Sequence, residues 1–583
     1  MADIPRPEHP RPDLRRDDGW WLNLNGTWQF EVDRSMSGEE RGYASGHDLA
    51  GEILVPFCPE SSLSGVGERD FMNSVWYRRF IEVPDAWNGR RVLLHFGACD
   101  YVTTVWLNGR KVGQHEGGYT PFAVDLTGAL KGNGRDELVV RAVDETRRGG
   151  IPRGKQSPRY ESFGCLYTRT TGIWQTVWLE AVPLPYVENV HVRPDLDRGT
   201  IAVQVYVTGP GQFGGRVAAL EKGRLAATAE FRGRGTGCTW VELELTDPHP
   251  WSPGDPFLYG ISVELEGEGG PDRVRACAGL RKFHCEGTRF FLNNEPIFLR
   301  TVLDQGFYPD GIYTAPSLRA FEYDIDTSLA FGFNGARLHQ KVFEPAFLDM
   351  CDHKGYLVFG EFADWGHDFA DPLFPQRIIS QWTDVLMRDL NHAAIIGWCP
   401  MNETMSAGDS PYGEWTTRQL YRLTKAIDPS RPALDTSGYF HFETDIWDCH
   451  NYEQEVARFS AAFEPLARGD YSRSFNNAER QLPYEGDRPY FVSEYGGIAW
   501  GEEEAVAGAW GYGNRPRTER EFLARFRGLT EALLKNPGIS GFCYTQLTDI
   551  EQEINGLMTY DRRTKFPPEQ IASVLKQKAA AEE

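Results

Sequence analysis

Two glutamates end apolar, strand-like runs: Glu403 in Gly397-Trp398-Cys399-Pro400-Met401-Asn402-Glu403, and Glu494 in Tyr490-Phe491-Val492-Ser493-Glu494-Tyr495-Gly496. Glycoside hydrolysis needs two carboxyl groups flanking the scissile bond, one to donate a proton and one to act as nucleophile or base. A single glutamate after an apolar run is commonly just the first solvated residue of a loop, since charged side chains are mostly exposed. The repeated pattern, and Asn402 beside Glu403, favour the catalytic reading. Such a pair must sit on rigid elements, and the strand ends of a barrel provide them.

The chain after residue 284 has the right periodicity. Helix-like stretches over 318–331, 344–354 and 378–390 alternate with short apolar runs at 334–338, 357–361 and 395–398. Repeated β-then-α units predict a (β/α)8 TIM barrel over residues 284–583. A doubly wound sheet competes, but the sequence has neither a GxGxxG after a strand nor a Walker motif.

Residues 1–183 read as all-β. Short alternating segments such as Arg91-Val92-Leu93-Leu94-His95-Phe96 recur, and Asn108-Gly109 is a strong hairpin signal. The pattern predicts a jelly-roll β-sandwich. Within it, residues 145–171 form a long irregular stretch, a kind of segment that is usually functional or disordered. Residues 184–283 begin between Pro183 and Pro185 and carry the clean alternation of Thr200-Ile201-Ala202-Val203-Gln204-Val205. They predict an immunoglobulin-like β-sandwich.

Composition excludes several classes. The chain of 583 residues carries a net charge of −22, which argues against nucleic-acid partners and anionic membrane surfaces. No apolar run is long enough to cross a membrane, and the N-terminus has no signal-like apolar stretch. The ten cysteines include no CxxC pair and no zinc-type spacing. They read as reduced thiols of a cytoplasmic protein. A homo-oligomer is compatible with the sequence. Aromatic residues reach 13%; Trp and Tyr faces stack on pyranose rings, although they also fill sandwich cores.

These segments together resemble glycoside hydrolase family 2 over nearly the whole chain. His115-Glu116-Gly117-Gly118-Tyr119-Thr120-Pro121-Phe122 looks like the family's jelly-roll motif, and Thr171-Gly172-Ile173-Trp174 resembles its Gly-Ile-aromatic motif. Gly279-Leu280-Arg281-Lys282-Phe283 looks like the entry to the barrel, and Asn334-Gly335-Ala336-Arg337 is similar to the Asn-x-x-Arg strand. The resemblance implies a retaining mechanism with Glu494 as nucleophile and Glu403 as general acid, then base. It implies that Asn402 contacts the sugar 2-OH, that Arg337 orients Glu494, and that Tyr452 donates a hydrogen bond to it. The two carboxyls are then expected about 5–5.5 Å apart.

The sequence departs from the family at several places. Gln305 and Gln340 stand where its galactosidases and glucuronidases commonly carry histidines, with His339 adjacent to the second. Leu166 replaces an Asp of the jelly-roll motif. The Asn-x-Lys motif resembling the glucuronidase carboxylate clamp is missing. An acidic segment containing Glu553 and Asn555 stands there instead, following the strand that ends near Tyr544. A uronic acid would meet repulsion in that segment. Candidate sugar contacts are therefore Asp304, Gln305, His339, Gln340, Tyr544, Glu553 and Asn555. Trp365, Trp447 and Trp500 are candidate walls. Asp364 lacks the histidine partner of the family's magnesium pattern, so no metal and no cofactor are expected.

The expectation is an exo-acting retaining glycosidase of a carbohydrate substrate, with 145–171 closing one end of the site. β-Galactosidase type comes first, a β-D-galactofuranosidase or α-L-arabinofuranosidase second, and β-glucuronidase third. A non-catalytic carbohydrate-binding protein is the alternative from another class.

Overall fold

The structure, a computed structural model, describes residues 4–132, 134–405, 407–478, 482–501 and 508–582. Two β-sandwiches precede a parallel barrel. The first pairs a six-stranded sheet with a four-stranded one. Their inner faces meet in a core that includes Trp28, Tyr77, Leu94, Phe96, Val105, Leu138 and Leu179. Strands Val102–Leu107 and Arg110–Glu116 form the expected hairpin. Its turn places Asn108 (φ 54°) and Gly109 (φ 77°) in the left-handed region, the reason this dipeptide marks such turns.

The second sandwich packs sheets of five and three strands around Val190, Val203, Val217, Ile261 and Val263. One boundary differs from the sequence reading. Arg15–Arg16 leave the first domain and pair antiparallel with Asp272–Ala278 of the second sandwich. Arg16 fixes this crossing: it ion-pairs with Glu180 at 2.6 Å and with Asp272 at 3.0 Å, so one buried guanidinium joins both sandwiches.

The barrel strands are β1 (Leu299–Asp304), β2 (Gly335–Leu338), β3 (Leu357–Glu361), β4 (Ile395–Cys399), β5 (Trp447–Asn451), β6 (Tyr490–Gly496) and β7 (Gly541–Thr545). They run parallel in the order β4-β3-β2-β1-β7-β6-β5. The eighth position, between β4 and β5, is held by residues 432–437, which form only isolated parallel bridges to the β4 side at Ala433 and Ser437. The cause is local. Pro432 has no N–H to give a ladder. Asp435 accepts backbone N–H groups from Thr436, Phe442 and Glu443, competing with strand pairing.

Helices α1 (Leu318–Phe331), α2 (Pro345–Lys354) and α3 (Phe374–Asp389) follow β1, β2 and β3. Each places apolar residues against the sheet, as Phe321, Ile325 and Phe331 do in α1. α4 (Pro411–Ile427), α5 (Val456–Ala467), α6 (Glu519–Leu534) and α7 (Pro568–Leu575) complete the ring. Among the described residues, no helix is long and apolar enough to cross a membrane.

Candidate active site

Glu494 lies inside β6, and a bulge aims it. Cys449 of β5 pairs with Val492, but the next residue, His450, pairs with Glu494, so Ser493 is the extra residue. A bulge of this kind turns a side chain to a new direction. The Ser493 carbonyl accepts a hydrogen bond from Arg337 Nη1 at 2.9 Å. The same nitrogen donates to Glu494 Oε1 at 3.1 Å. Arg337 Nη2 reaches Glu361 at the end of β3 (2.7 Å) and Asn402 Oδ1 (3.1 Å). One buried guanidinium thus ties together the ends of β2, β3, β4 and β6.

Tyr452 donates its hydroxyl to Glu494 Oε2 at 2.5 Å, and its ring stacks on Tyr512 with 3.5 Å between centroids. Burial pushes the Glu494 carboxyl up. His450, Arg337, His339 and the Tyr452 hydrogen bond outweigh that and hold it well below the usual carboxylate range. Glu494 is therefore ionised, as a nucleophile must be.

Glu403 follows β4 with φ +50°, a left-handed conformation uncommon for a residue with a side chain, of the kind that clusters at functional sites. Its N–H donates to Ser437 O at 2.9 Å. At 16% exposure its side chain is more open than that of Glu494 or Glu361. His450 stands between the two glutamates, its Nδ1 2.9 Å from Glu403 Oε1 and 3.4 Å from Glu494 Oε2. One oxygen from each carboxyl and a ring nitrogen of His450 lie within 4.8 Å of one another. Burial disfavours the imidazolium, but Glu494, Glu403 and Asp448 raise the His450 pKa.

Asn402 is oriented by Arg337, which takes its carbonyl oxygen, so its amide nitrogen points elsewhere. Among the described residues, that buried Nδ2 atom has no hydrogen-bond partner.

The strap 145–171 crosses from the first sandwich onto the barrel mouth. It is pinned on one side by Gly150, Arg153 and Gly154 N–H groups donating to Gly366, Trp365 and Ala363 carbonyls. Gly154 is required there, since a Cβ would lie 2.4 Å from Gln340 O. On the other side Gln552 donates to the Gly164 and Leu166 carbonyls. The strap delivers Tyr167, whose hydroxyl donates to Glu553. It also delivers Lys155, which is 5% exposed and places Nζ 3.5 Å from the centre of the Trp365 ring. Burial acts to lower the Lys155 pKa, but Cys165, Glu403, Glu494 and Glu553 raise it overall.

Glu553 anchors a polar wall. Asn555 Nδ2 donates to it at 2.9 Å, and Gln546 donates to Asn555 at 2.8 Å. Gln305 donates to Gln546 (2.6 Å) and to Tyr167 (3.0 Å). Burial raises the Glu553 pKa against the opposing hydrogen bonds and Lys155.

Several expected contacts lie elsewhere. Asp304 caps the Gly306 N–H, and the charged groups acting on it are Asp324, Arg562 and Lys341 rather than the catalytic pair. Tyr544 packs on Tyr495 and on Phe526 of α6, outside the strand ring. Gln340 is spent on positioning: Nε2 donates to Asp364 and Oε1 accepts from the Trp365 N–H. His339 binds Glu361 at 2.8 Å and so braces Arg337 indirectly. Of the three tryptophans, Trp365 reaches the site, donating to Asn402 O at 3.2 Å. Trp447 stacks on Tyr490 in the core, and Trp500 packs near Phe522 and Phe566. Asp364 does have a histidine neighbour, His367, at 3.5 Å. Its Oδ1 accepts from Gln340 and from the Asn402 N–H, and its Oδ2 is the oxygen that faces His367.

Residues that sequence reading missed are Lys155, Tyr167, Glu361, Gln546 and, above all, His450. The only signal for His450 was its place two residues before Tyr452 at a strand end.

Comparison with known proteins agrees with this layout. Residues 64–149 match the sugar binding domain of glycosyl hydrolases family 2, residues 186–281 match the domain described as glycosyl hydrolases family 2, and residues 284–502 match that family's TIM barrel domain. A β-galactosidase of Thermoanaerobacter pseudethanolicus is 26% identical over 449 residues, covering 74% of this chain and 55% of the relative. The chain thus spans about half the length of that enzyme. A β-glucuronidase of Paenibacillus borealis is 25% identical, covering 70% of this chain and 72% of its own. A crystal structure of a GH2 β-galacturonidase from Eisenbergiella tayi superposes with a TM-score of 0.77 at 21% identity, over 97% of this chain and 98% of that one. At that identity the superposition speaks to the fold alone.

Proposed function

The chain belongs to glycoside hydrolase family 2, and on that premise we propose that it is an exo-acting retaining glycosidase releasing one terminal sugar by double displacement. The observation that carries this is the close approach of Glu403 and Glu494, within 4.8 Å, with Glu494 held ionised by Arg337 and Tyr452. Facing oxygens this close accord with the short spacing of retaining enzymes rather than the wider spacing that holds a water between the carboxyls of inverting ones. Glu494 attacks the anomeric carbon while Glu403 protonates the leaving oxygen. Glu403 then takes a proton from water as water displaces Glu494. The free Asn402 amide donates to the sugar 2-OH, a contact that strengthens in the transition state.

The sugar itself is best read as neutral, of β-galactoside type. Glu553, Asn555, Gln305 and Tyr167 form a wall suited to hydroxyl groups. A second reading, a β-uronide, is favoured by Lys155, the cation that the strap brings near the catalytic pair, and by the names of the relatives. The two differ in pH response. A substrate carboxylate beside Glu553 requires Glu553 to take up a proton. Uronide cleavage would therefore be strongest at low pH and fall as pH rises through Glu553's raised range, whereas neutral-sugar cleavage would not follow that group.

The test is a screen of para-nitrophenyl β-galactopyranoside, β-glucuronide, β-galacturonide, β-mannoside, β-galactofuranoside and α-L-arabinofuranoside. Cleavage of the β-galactopyranoside is expected. Cleavage of uronides alone selects the second reading, and cleavage of furanosides alone means that Gln305 and the strap have changed the accepted ring. No cleavage of any glycoside would overturn the proposal.

A further inference from the structure

His450 raises a question of proton bookkeeping that its neighbours answer. Its Nε2 lies 3.0 Å from Ser437 Oγ. Ser437 has one hydroxyl proton, and it donates that proton to Asp448 Oδ2 at 2.9 Å. Asp448 has none to return. It accepts from the Gly438 N–H and pairs with His441 at 2.8 Å. Burial pushes Asp448 up, but His441, His450 and Ser493 hold its carboxyl below the usual range. Ser437 can therefore only accept from His450, so Nε2 carries a hydrogen.

This fixes what Nδ1 must be. If His450 is neutral, Nδ1 is a bare acceptor facing Glu403 Oε1 at 2.9 Å and Glu494 Oε2 at 3.4 Å. A lone pair facing two bare carboxylates in a buried site is strongly unfavourable. One proton has to lie in the link, either on Nδ1 or on Glu403. The ring lies close over Gly438, at φ +70°, where a Cβ would come within 2.9 Å of three ring atoms. Among the described residues, the titratable groups facing the ring are Glu403, Glu494, Asp448 and Tyr439.

We propose that His450 and Glu403 share the general-acid proton across the Nδ1–Oε1 hydrogen bond, with Ser437 and Asp448 fixing the tautomer that makes the sharing obligatory. This rests on the glycosidase reading above. In the empty site the proton sits on Nδ1, opposite two carboxylates. When a glycoside fills the site, it moves from Nδ1 to Glu403 Oε1, leaving neutral imidazole and a carboxylic acid. Glu403 then gives it to the glycosidic oxygen as the C1–O electron pair departs and Glu494 bonds to C1. In the second half, the proton from the attacking water returns to Glu403, and from it to Nδ1. His450 is a positioning residue that keeps the acid loaded while Glu494 remains ionised.

The test compares wild type, His450→Gln and Ser437→Ala on two glycosides of whichever sugar the wild type cleaves. One has a 2,4-dinitrophenyl leaving group, which needs no proton, and the other an alkyl leaving group, which does. The measured quantity is kcat/KM against pH. His450→Gln is expected to lose about 10²-fold more on the alkyl glycoside than on the dinitrophenyl one, the loss common to both being that of its charge beside Glu494, and to move the basic limb of the alkyl profile to lower pH. Two sites hold a proton more tightly than one, which sets that direction. Equal losses on both substrates, or no loss on either, would overturn the proposal. Ser437→Ala leaves the imidazole in place but releases its tautomer. If His450→Gln does not fold, a selective loss of about tenfold on the alkyl glycoside supports the proposal, and a uniform or absent loss sinks it. A wild type inactive on every glycoside would instead count against the function itself.

Discussion

Arg337 is the residue on which the site's electrostatics turn, since it neutralises Glu361 and Glu494 in a region with almost no solvent. Breaking a buried charge cluster by removing one partner is strongly destabilising. Arg337→Ala should destabilise the barrel by about 3–5 kcal/mol, read as a lowered midpoint in thermal or urea unfolding. Tyr452→Phe removes one donor to an ionised carboxylate, worth about 1.5–3 kcal/mol. Its kcat/KM should fall roughly tenfold to a hundredfold; a loss below twofold would mean that Tyr452 does not support the nucleophile. At this scale the sequence was informative where chemistry and chain position coincide. Glu403, Glu494, Asn402, Arg337 and Tyr452 each sit at or near the end of an apolar run, and the structure brings them together. Gln340 and Asp304 also sit at strand ends, yet backbone N–H groups engage both side chains. Which way a strand-end side chain faces is set by register, and sequence alone does not reveal it.

Register matters most in β6, where the extra residue Ser493 turns Glu494 toward Arg337. Nothing in Tyr490-Phe491-Val492-Ser493-Glu494 announces a bulge. The helices α1 and α2 were legible to within a residue because their apolar spacing and the glycines after them act locally. The eighth barrel position was not, because Asp435 diverts its hydrogen bonds to the N–H groups of Phe442 and Glu443, a loop pairing that no apolar spacing announces. His441 holds that irregular segment to β5 by pairing with both Asp435 and Asp448 at 2.8 Å. Burial opposes its charge, but the two carboxylates raise its pKa from 6.5 to about 10. A raised histidine contributes stability that is complete below the unfolded value and is lost as pH rises through the folded one. The contribution should therefore decline across pH 6.5–10. Thermal unfolding followed over that range should show a falling midpoint, with a shallower slope in His441→Gln; identical slopes would contradict the assignment.

The whole molecule works as three domains around one mouth. The barrel supplies the carboxylates, and the first sandwich sends the 145–171 strap across to Glu553 and Trp365. The long irregular loop was visible in the sequence, but Lys155 and Tyr167 were not, since their partners lie far along the chain. A mouth closed by a strap admits a chain end rather than a chain middle. On an oligosaccharide of the accepted sugar, chromatography over time should show monosaccharide from the first points, with the substrate shortening one unit at a time. Early release of larger fragments would contradict exo action. The most direct test of the double displacement is a trap. Wild-type protein is incubated with the 2-deoxy-2-fluoro, dinitrophenyl form of the preferred glycoside and then digested for peptide mass spectrometry. One fluoroglycosyl adduct is expected, carried by Glu494 and absent in Glu494→Gln; turnover with inverted anomeric configuration and no adduct, or an adduct on another residue, would contradict double displacement at Glu494.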